Sequence, residues 1–155
     1  MREFPHHYAA VATGGPDGDI QLDSGRLEAL RSAAPAEFDG PGDRWSPETL
    51  MIAAVADCFV LTFRAIARAS KLPWIALRCD ASGTLDVDRV TQFKAFSVKA
   101  SLTVPSGTNV DRARRLLARA EEGCLISNSL KAPVYVEVDV RAEREAPVAG
   151  VVPAA

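Results

Sequence analysis

The chain has 155 residues, of which 48% are hydrophobic and 25% are charged, and its net charge is −2 at neutral pH. This length and composition are typical of one folded domain with its own core, and they exclude wholesale disorder. The near-neutral charge has no block of a single sign, which argues against nucleic acid and anionic membranes as partners. We expect one domain over residues 1–145 and a disordered tail over residues 146–155, where small residues and prolines show no periodicity.

The N-terminal residues lack the apolar stretch of a secretory signal. The longest apolar run, residues 50–56, is far shorter than the roughly 20 residues that a membrane span needs. We therefore expect a soluble protein of the cytoplasm.

The chain has three cysteines, Cys58, Cys79 and Cys124, an odd number, and they have no Cys-x-x-Cys spacing. This pattern argues against a secreted disulfide scaffold and against a zinc knuckle. Two interpretations of the cysteines remain: inert core residues or reactive thiols.

The first 43 residues predict strands and turns. Residues 4–12 alternate and predict a strand, a dense glycine turn follows, and residues 19–23 predict the returning strand of a hairpin. A third extended segment is expected around residues 26–30. Residues 33–43 are rich in proline and glycine and predict a loop.

His6 and His7 lie next to each other on the first predicted strand, where neighbouring side chains face opposite sides and cannot chelate one metal ion together.

A helix is predicted to begin at Ser46, because serine is a good N-cap and Pro47 suits the first helical position. Its middle, residues 50–67, is apolar on nearly every face, and Pro73 lies beyond its end. A helix without a polar face is buried on all sides. In a chain of this size we expect it either to be wrapped by sheet or to be covered by a second subunit.

The rest of the chain predicts two long strands at residues 74–86 and 91–104, an amphipathic helix at residues 109–122, and a last strand at residues 133–140. Gly123 is predicted to cap the amphipathic helix, and residues 127–129 to form a turn. This order of elements predicts an α+β fold with mostly antiparallel strands.

Two cysteine segments carry a resemblance to a known family. Residues 46–59 read SPETLMIAAVADCF, and residues 123–130 read GCLISNSL. These segments resemble the Pro-Glu, Cys-Phe and Cys-x-x-Ser motifs of the OsmC and organic hydroperoxide resistance proteins, which are bacterial thiol peroxidases. A weaker match is the glycine turn at residues 12–18, ATGGPDG. The resemblance extends over residues 7–141.

The resemblance implies an intertwined homodimer, with central helices from both chains and antiparallel sheets wrapped around them. It implies that Cys58 is the peroxidatic cysteine, which attacks a small apolar hydroperoxide and becomes a sulfenic acid, and that Cys124 is the resolving cysteine. An external dithiol would reduce the resulting disulfide, and no metal or organic cofactor is needed. Glu48 is implied to organise the site. Ten residues of helix span about 15 Å, so we expect either a broken helix or a Glu48 that reaches the cysteine of the partner subunit.

The sequence departs from this family at two positions near the predicted site. The family's arginine after the two glycines is replaced by Pro16, which cannot pair with a glutamate or stabilise a thiolate. Arg44, in the loop before the helix, is the candidate replacement, although a solvated loop arginine is an equally good interpretation. Asp57 places a negative charge beside Cys58, which opposes thiolate formation.

These observations leave three functions open. The first is a thiol-dependent peroxidase that reduces organic hydroperoxides in oxidative-stress defence. The second is a non-enzymatic relative, a binding or redox-sensing protein that keeps the fold and both thiols but has no peroxidase activity, because Pro16 has replaced the arginine. The third is a protein that binds a small apolar ligand, in which all cysteines are structural. We interpret Cys79 as an inert residue under each of these three functions. We interpret Phe59 and Phe63 as core residues, although aromatic side chains near the reactive cysteine also line the substrate pocket in this family.

Overall fold

The computed structural model describes residues 3–143, so the predicted tail at residues 146–155 lies outside the described residues. The fold is α+β, as predicted. The chain divides between Met51 and Ile52 into two compact units. This boundary falls in the first turns of helix α1, Pro47–Ala69.

The N-terminal unit contains a three-stranded antiparallel sheet in the order β1-β2-β3. Its strands are β1, Val11–Thr13; β2, Ile20–Asp23; and β3, Leu30–Ser32. The hairpin and its returning strand are confirmed. The predicted start of the first strand at residue 4 is wrong, because pairing with the short β2 begins only at Val11. The third strand likewise begins later than predicted, at Leu30.

In the turn between β1 and β2, a side chain at Gly14 would displace the end of the Ile20 side chain. A Cβ atom at Gly14 would lie 2.3 Å from Cδ1 of Ile20, far inside van der Waals contact. Pro16 lies in the same turn and is exposed. The predicted loop at residues 33–43 holds one short 3₁₀ helix, Ala36–Phe38.

Helix α1 begins where the sequence predicts. The backbone N–H of Thr49 donates to Oγ of Ser46 at 3.2 Å, and the N–H of Ser46 donates to Oγ1 of Thr49 at 2.8 Å. These reciprocal bonds satisfy polar groups that a helix start leaves without partners. The helix is continuous over 23 residues, so the broken-helix alternative is wrong.

The expectation that α1 is buried on all sides is also wrong for the single chain. One face is buried, and its residues are Val55, Cys58, Phe59, Phe63 and Ala67. Met51 and Leu61 remain 42% and 48% exposed. The helix has the length and hydropathy of a membrane span, but a single such helix is weak support for one. The alternative in which a second subunit covers the exposed face stays a prediction.

The C-terminal unit contains a mixed three-stranded sheet in the order β4-β5-β6. Its strands are β4, Ala76–Val87; β5, Thr91–Val104; and β6, Val134–Ala142. Strands β4 and β5 form the predicted antiparallel hairpin. Strand β6 pairs with β5 in parallel, which the prediction of mostly antiparallel strands did not include. A parallel pair requires a crossover connection, and the helices between β5 and β6 provide it.

The crossover consists of α2, Val110–Gly123, and a short helix α3, Leu125–Asn128. Oδ1 of Asn109 caps α2 by accepting the N–H of Arg112 at 2.9 Å. Two details of the prediction are wrong: Gly123 is the last helical residue and Cys124 is the cap, and residues 125–128 are helical where a turn was expected. The core of this unit combines the buried face of α1 with side chains of α2 and β5.

Candidate functional site

Two cysteine thiols lie at the junction of three helices. Cys58 is in the middle of the buried face of α1 and is 8% exposed, and Cys124 stands between α2 and α3 and is fully buried. Both are free thiols. Cys124 is close enough to Cys58 to affect the pKa of its thiol. The fold therefore brings together the two cysteines that the sequence motifs single out.

The end of α2 lies against α1 at Gly123. A Cβ atom built at Gly123 would lie 3.4 Å from the Cγ2 methyl of Thr62. The end of α2 thus runs close to α1, one helical turn beyond Cys58. The chain then turns at Cys124 and presents the first residues of α3 to the same place.

Uncharged groups surround both sulfur atoms. Sγ of Cys58 lies 3.9 Å from Oγ1 of Thr62, and it also interacts with the backbone of Ile126 at the start of α3. Oγ of Ser127 donates to Sγ of Cys124 at 3.2 Å. A backbone group and two hydroxyls therefore lie next to the thiols.

Burial is the main cause that raises the pKa of Cys58 above its ordinary value, because it penalises the charged thiolate. The Cys124 side chain raises this pKa further, through a hydrogen bond and through charge repulsion. The hydrogen bonds from Ile126 and Thr62 lower it. The net direction is upward, so the thiolate of Cys58 depends on these donors at neutral pH. Asp57, the negative neighbour noted in the sequence, is exposed on α1.

Cys79 lies on β4, opposite Ala100 of β5. It is half-buried. Burial, and then the charges of Asp80 and Cys124, raise its pKa to about 11. A thiol with this pKa is almost entirely protonated near neutral pH, which supports the interpretation of Cys79 as an inert residue.

We expect the alkylation of Cys79 to be pH-dependent in a way that follows from this value. Below about pH 9 its rate with iodoacetamide stays far below that of an ordinary cysteine, whose pKa is near 8.5. The rate then rises as the pH approaches 11, because only the thiolate reacts. Peptide mass spectrometry after timed alkylation of the folded protein measures this profile. A midpoint near 8.5, equal to that of the same peptide in urea, would contradict it.

Arg44 is held by two carboxylates. Its Nε lies 3.0 Å from Oδ2 of Asp19, and its Nη1 lies 2.9 Å from Oδ2 of Asp43. These contacts raise the pKa of Arg44, with the hydrogen bond to Asp19 as the largest cause. Within residues 3–143, no arginine is hydrogen-bonded to Cys58. The binding role of Arg44 stays a prediction.

Glu48 lies in the first turn of α1 and lines an apolar pocket of about 540 Å³ in the N-terminal unit. Its Oε2 atom is buried and has no hydrogen-bond partner among the described residues. A buried carboxylate oxygen without a donor is costly. Because α1 is continuous, about 15 Å of helix separates Glu48 from Cys58 of its own chain. The alternative in which Glu48 reaches the partner's Cys58 stays a prediction.

A second pocket, of about 620 Å³, lies in the C-terminal unit, and neither Cys58 nor Cys124 is among its lining residues. Phe59, which follows Cys58, and Ser127, which bonds to Cys124, both line it. Phe59 and Phe63 are also fully buried core residues, as predicted. Among the described residues, no group of three or more His, Cys, Asp or Glu side chains is arranged to hold a metal ion.

The model of the family described as OsmC-like protein matches residues 40–139. The chain belongs to the OsmC-like family. An uncharacterised Bacillus subtilis protein, YmaD, is 27% identical over 86% of this chain and 92% of its own length. The organic hydroperoxide resistance protein of Xanthomonas axonopodis pv. citri is 27% identical over 82% of this chain and 88% of its own length.

A solved structure is also similar to this chain. It is that of an organic hydroperoxide resistance protein OsmC from Legionella pneumophila, which is 29% identical and has a TM-score of 0.69. The match covers 89% of this OsmC-like chain and 98% of the Legionella chain. The family resemblance found in the sequence is thereby confirmed.

Sequence reasoning missed three groups that contact the thiols. Ser127 was part of the Cys-x-x-Ser match, yet its hydrogen bond to Cys124 was not anticipated. Thr62 follows Cys58 by four residues, a spacing that places the two side chains on the same helix face. That signal could have identified it. The N–H of Ile126 is a backbone group whose position depends on the turn at Cys124, and no sequence pattern reveals it.

Proposed function

We propose that this OsmC-like protein is a thiol-dependent peroxidase that reduces organic hydroperoxides to alcohols in oxidative-stress defence. The observation that carries the proposal is the pair of buried free thiols, Cys58 and Cys124, which lie near each other where the end of α2 meets α1. The hydroperoxide-resistance names of relatives at 27% identity support the same reaction class.

The reaction begins with the Cys58 thiolate. It attacks the distal oxygen of the hydroperoxide, so that an S–O bond forms, the O–O bond breaks, and the alkoxide takes a proton and leaves as the alcohol. Cys58 is left as a sulfenic acid. The thiolate of Cys124 then attacks this sulfur, an S–S bond forms, the S–O bond breaks, and the hydroxide takes up a proton and leaves as water. An external dithiol supplies two electrons and two protons and restores both thiols.

The surroundings of the thiols suit this sequence of steps. The N–H of Ile126 and the hydroxyl of Thr62 stabilise the Cys58 thiolate, which is the nucleophile. The pocket lined by Phe59, which follows Cys58, and by Ser127, which bonds to Cys124, is the candidate entry for a small apolar hydroperoxide. The reducing cytoplasm, where dithiols are abundant, is the proposed location.

We also propose a homodimer in which a second copy covers the exposed face of α1. The exposed Met51 and Leu61 support it, since large apolar side chains on a long apolar helix favour a partner surface. In the dimer, Glu48 would organise the site of the partner subunit. Sedimentation equilibrium should give twice the chain mass of 16.5 kDa. A monomer at micromolar concentration would contradict the dimer.

The test of the peroxidase is stopped-flow oxidation of the reduced protein. We expect cumene hydroperoxide to oxidise it much faster than it oxidises a free thiol, with hydrogen peroxide the poorer substrate. Tryptophan fluorescence and loss of free thiols follow the reaction. Oxidation no faster than that of free cysteine at the same pH would contradict the proposal.

One observation favours a second candidate, a redox-sensing dithiol protein without peroxidase turnover. The pKa of Cys58 is raised, and no arginine within the described residues is bonded to it. Slow oxidation that still yields a reversible disulfide would support this function. If no disulfide forms with any oxidant, the remaining candidate is a protein that binds a small apolar ligand.

A further inference from the structure

Thr62 lies close to both cysteine segments. It follows Cys58 by one helical turn on α1, and its Oγ1 lies 3.9 Å from Sγ of Cys58. Its Cγ2 methyl lies on the side of Gly123, where an added Cβ atom would be in ordinary van der Waals contact with it, at 3.4 Å. Thr62 therefore lies beside both the reactive sulfur and the end of α2.

The protonation state of Cys58 decides the direction of this hydrogen bond. In the neutral thiol, either atom can donate. In the thiolate the sulfur has no proton, so the hydroxyl of Thr62 must be the donor. The bond then joins a donor to a charged acceptor, and such bonds are stronger than bonds between neutral groups. It favours the thiolate over the thiol.

We propose that Thr62 is a positioning residue whose hydroxyl, together with the N–H of Ile126, stabilises the Cys58 thiolate in place of an arginine. The inference rests on the proposed function, in which Cys58 is the nucleophile. The groups that face Cys58 are Thr62 on its own helix and Ile126 and Cys124 from the segment after α2, and of these only Cys124 is titratable. The guanidinium of Arg44 forms ion pairs with Asp19 and Asp43.

The test uses Cys124→Ser as the parent, so that a single thiol titrates at the site. Thr62→Val removes the hydroxyl and keeps the shape, whereas Thr62→Ser keeps the hydroxyl and removes the methyl. The rate of iodoacetamide alkylation at Cys58 is measured from about pH 6 to 11 by peptide mass spectrometry. Thr84→Val, a hydroxyl removed from an exposed position on β4, is the matched control.

We expect Thr62→Val to shift the alkylation profile to higher pH and to lower the rate at pH 8 about threefold to tenfold. Thr62→Ser should restore the parent rate to within about twofold, because it restores the donor. A Thr62→Val profile that coincides with the parent profile would overturn the inference. So would a Thr62→Ser shift as large as that of Thr62→Val, since that would indicate a purely structural effect.

Alkylation does not depend on hydroperoxide, so the two proposals fail separately. If Thr62→Val shifts the profile while hydroperoxide oxidises the wild-type protein no faster than a free thiol, the inference about Thr62 stands and the peroxidase does not. If hydroperoxide reacts rapidly and the profile is unchanged, the peroxidase stands and the role of Thr62 is overturned.

Discussion

Cys58→Ser is expected to reduce hydroperoxide oxidation to the rate of the uncatalysed reaction. A serine hydroxyl is not ionised near neutral pH and is a far weaker nucleophile than a thiolate. The substitution changes one buried atom, so the fold should persist. Stopped-flow mixing of the variant with cumene hydroperoxide measures the loss.

Two matched variants sharpen this result. Cys124→Ser should still react with one equivalent of hydroperoxide but should then accumulate the Cys58 sulfenic acid, which dimedone traps. Cys79→Ser should react like the wild-type protein, because the Cys79 pKa of about 11 keeps its thiol protonated. A Cys58→Ser variant that is oxidised at the wild-type rate would contradict the assignment, and so would a rate that falls with Cys79→Ser instead.

Phe63→Ala should destabilise the protein by about 3–5 kcal/mol. The Phe63 side chain is fully buried in the core between α1 and the C-terminal sheet. Its ring also meets that of Trp74 edge-on, with centroids 5.6 Å apart. Removing it leaves a cavity that the continuous helix cannot close.

Thermal unfolding followed by circular dichroism measures this loss, which corresponds to a fall in Tm of about 6–20 °C for a chain of this size. The control is Val87→Ala, because Val87 is 64% exposed at the end of β4. We expect the control to change stability by no more than about 0.5 kcal/mol. Equal effects of the two substitutions would show that Phe63 does not support the core.

The elements that local signals determine were predictable from the sequence. Ser46 and Pro47 mark the start of α1 by capping chemistry, and the two long strands of the C-terminal hairpin show their alternation directly. The predicted first strand was too long because pairing depends on the length of its partner β2, which its own residues do not encode. The parallel pairing of β6 is a long-range property of the α2–α3 crossover.

The candidate site also has features that the sequence predicts and features that depend on packing between distant segments. Its two cysteines were identified through the family resemblance, since their separation along the chain gives no physical reason to place them together. Their approach depends on the end of α2 packing beside Thr62 of α1, a contact between helices that no single segment reveals. The continuity of α1, by contrast, could be anticipated from the absence of a breaker before Pro73.

The most direct test of the account is to identify the bond that one equivalent of cumene hydroperoxide produces in the reduced wild-type protein. After acid quenching, the remaining thiols are alkylated and the peptides are mapped by mass spectrometry. The account predicts a disulfide between Cys58 and Cys124, with Cys79 recovered as an alkylated thiol. Recovery of Cys58 and Cys124 as unmodified thiols, or a disulfide that involves Cys79 in their place, would contradict it.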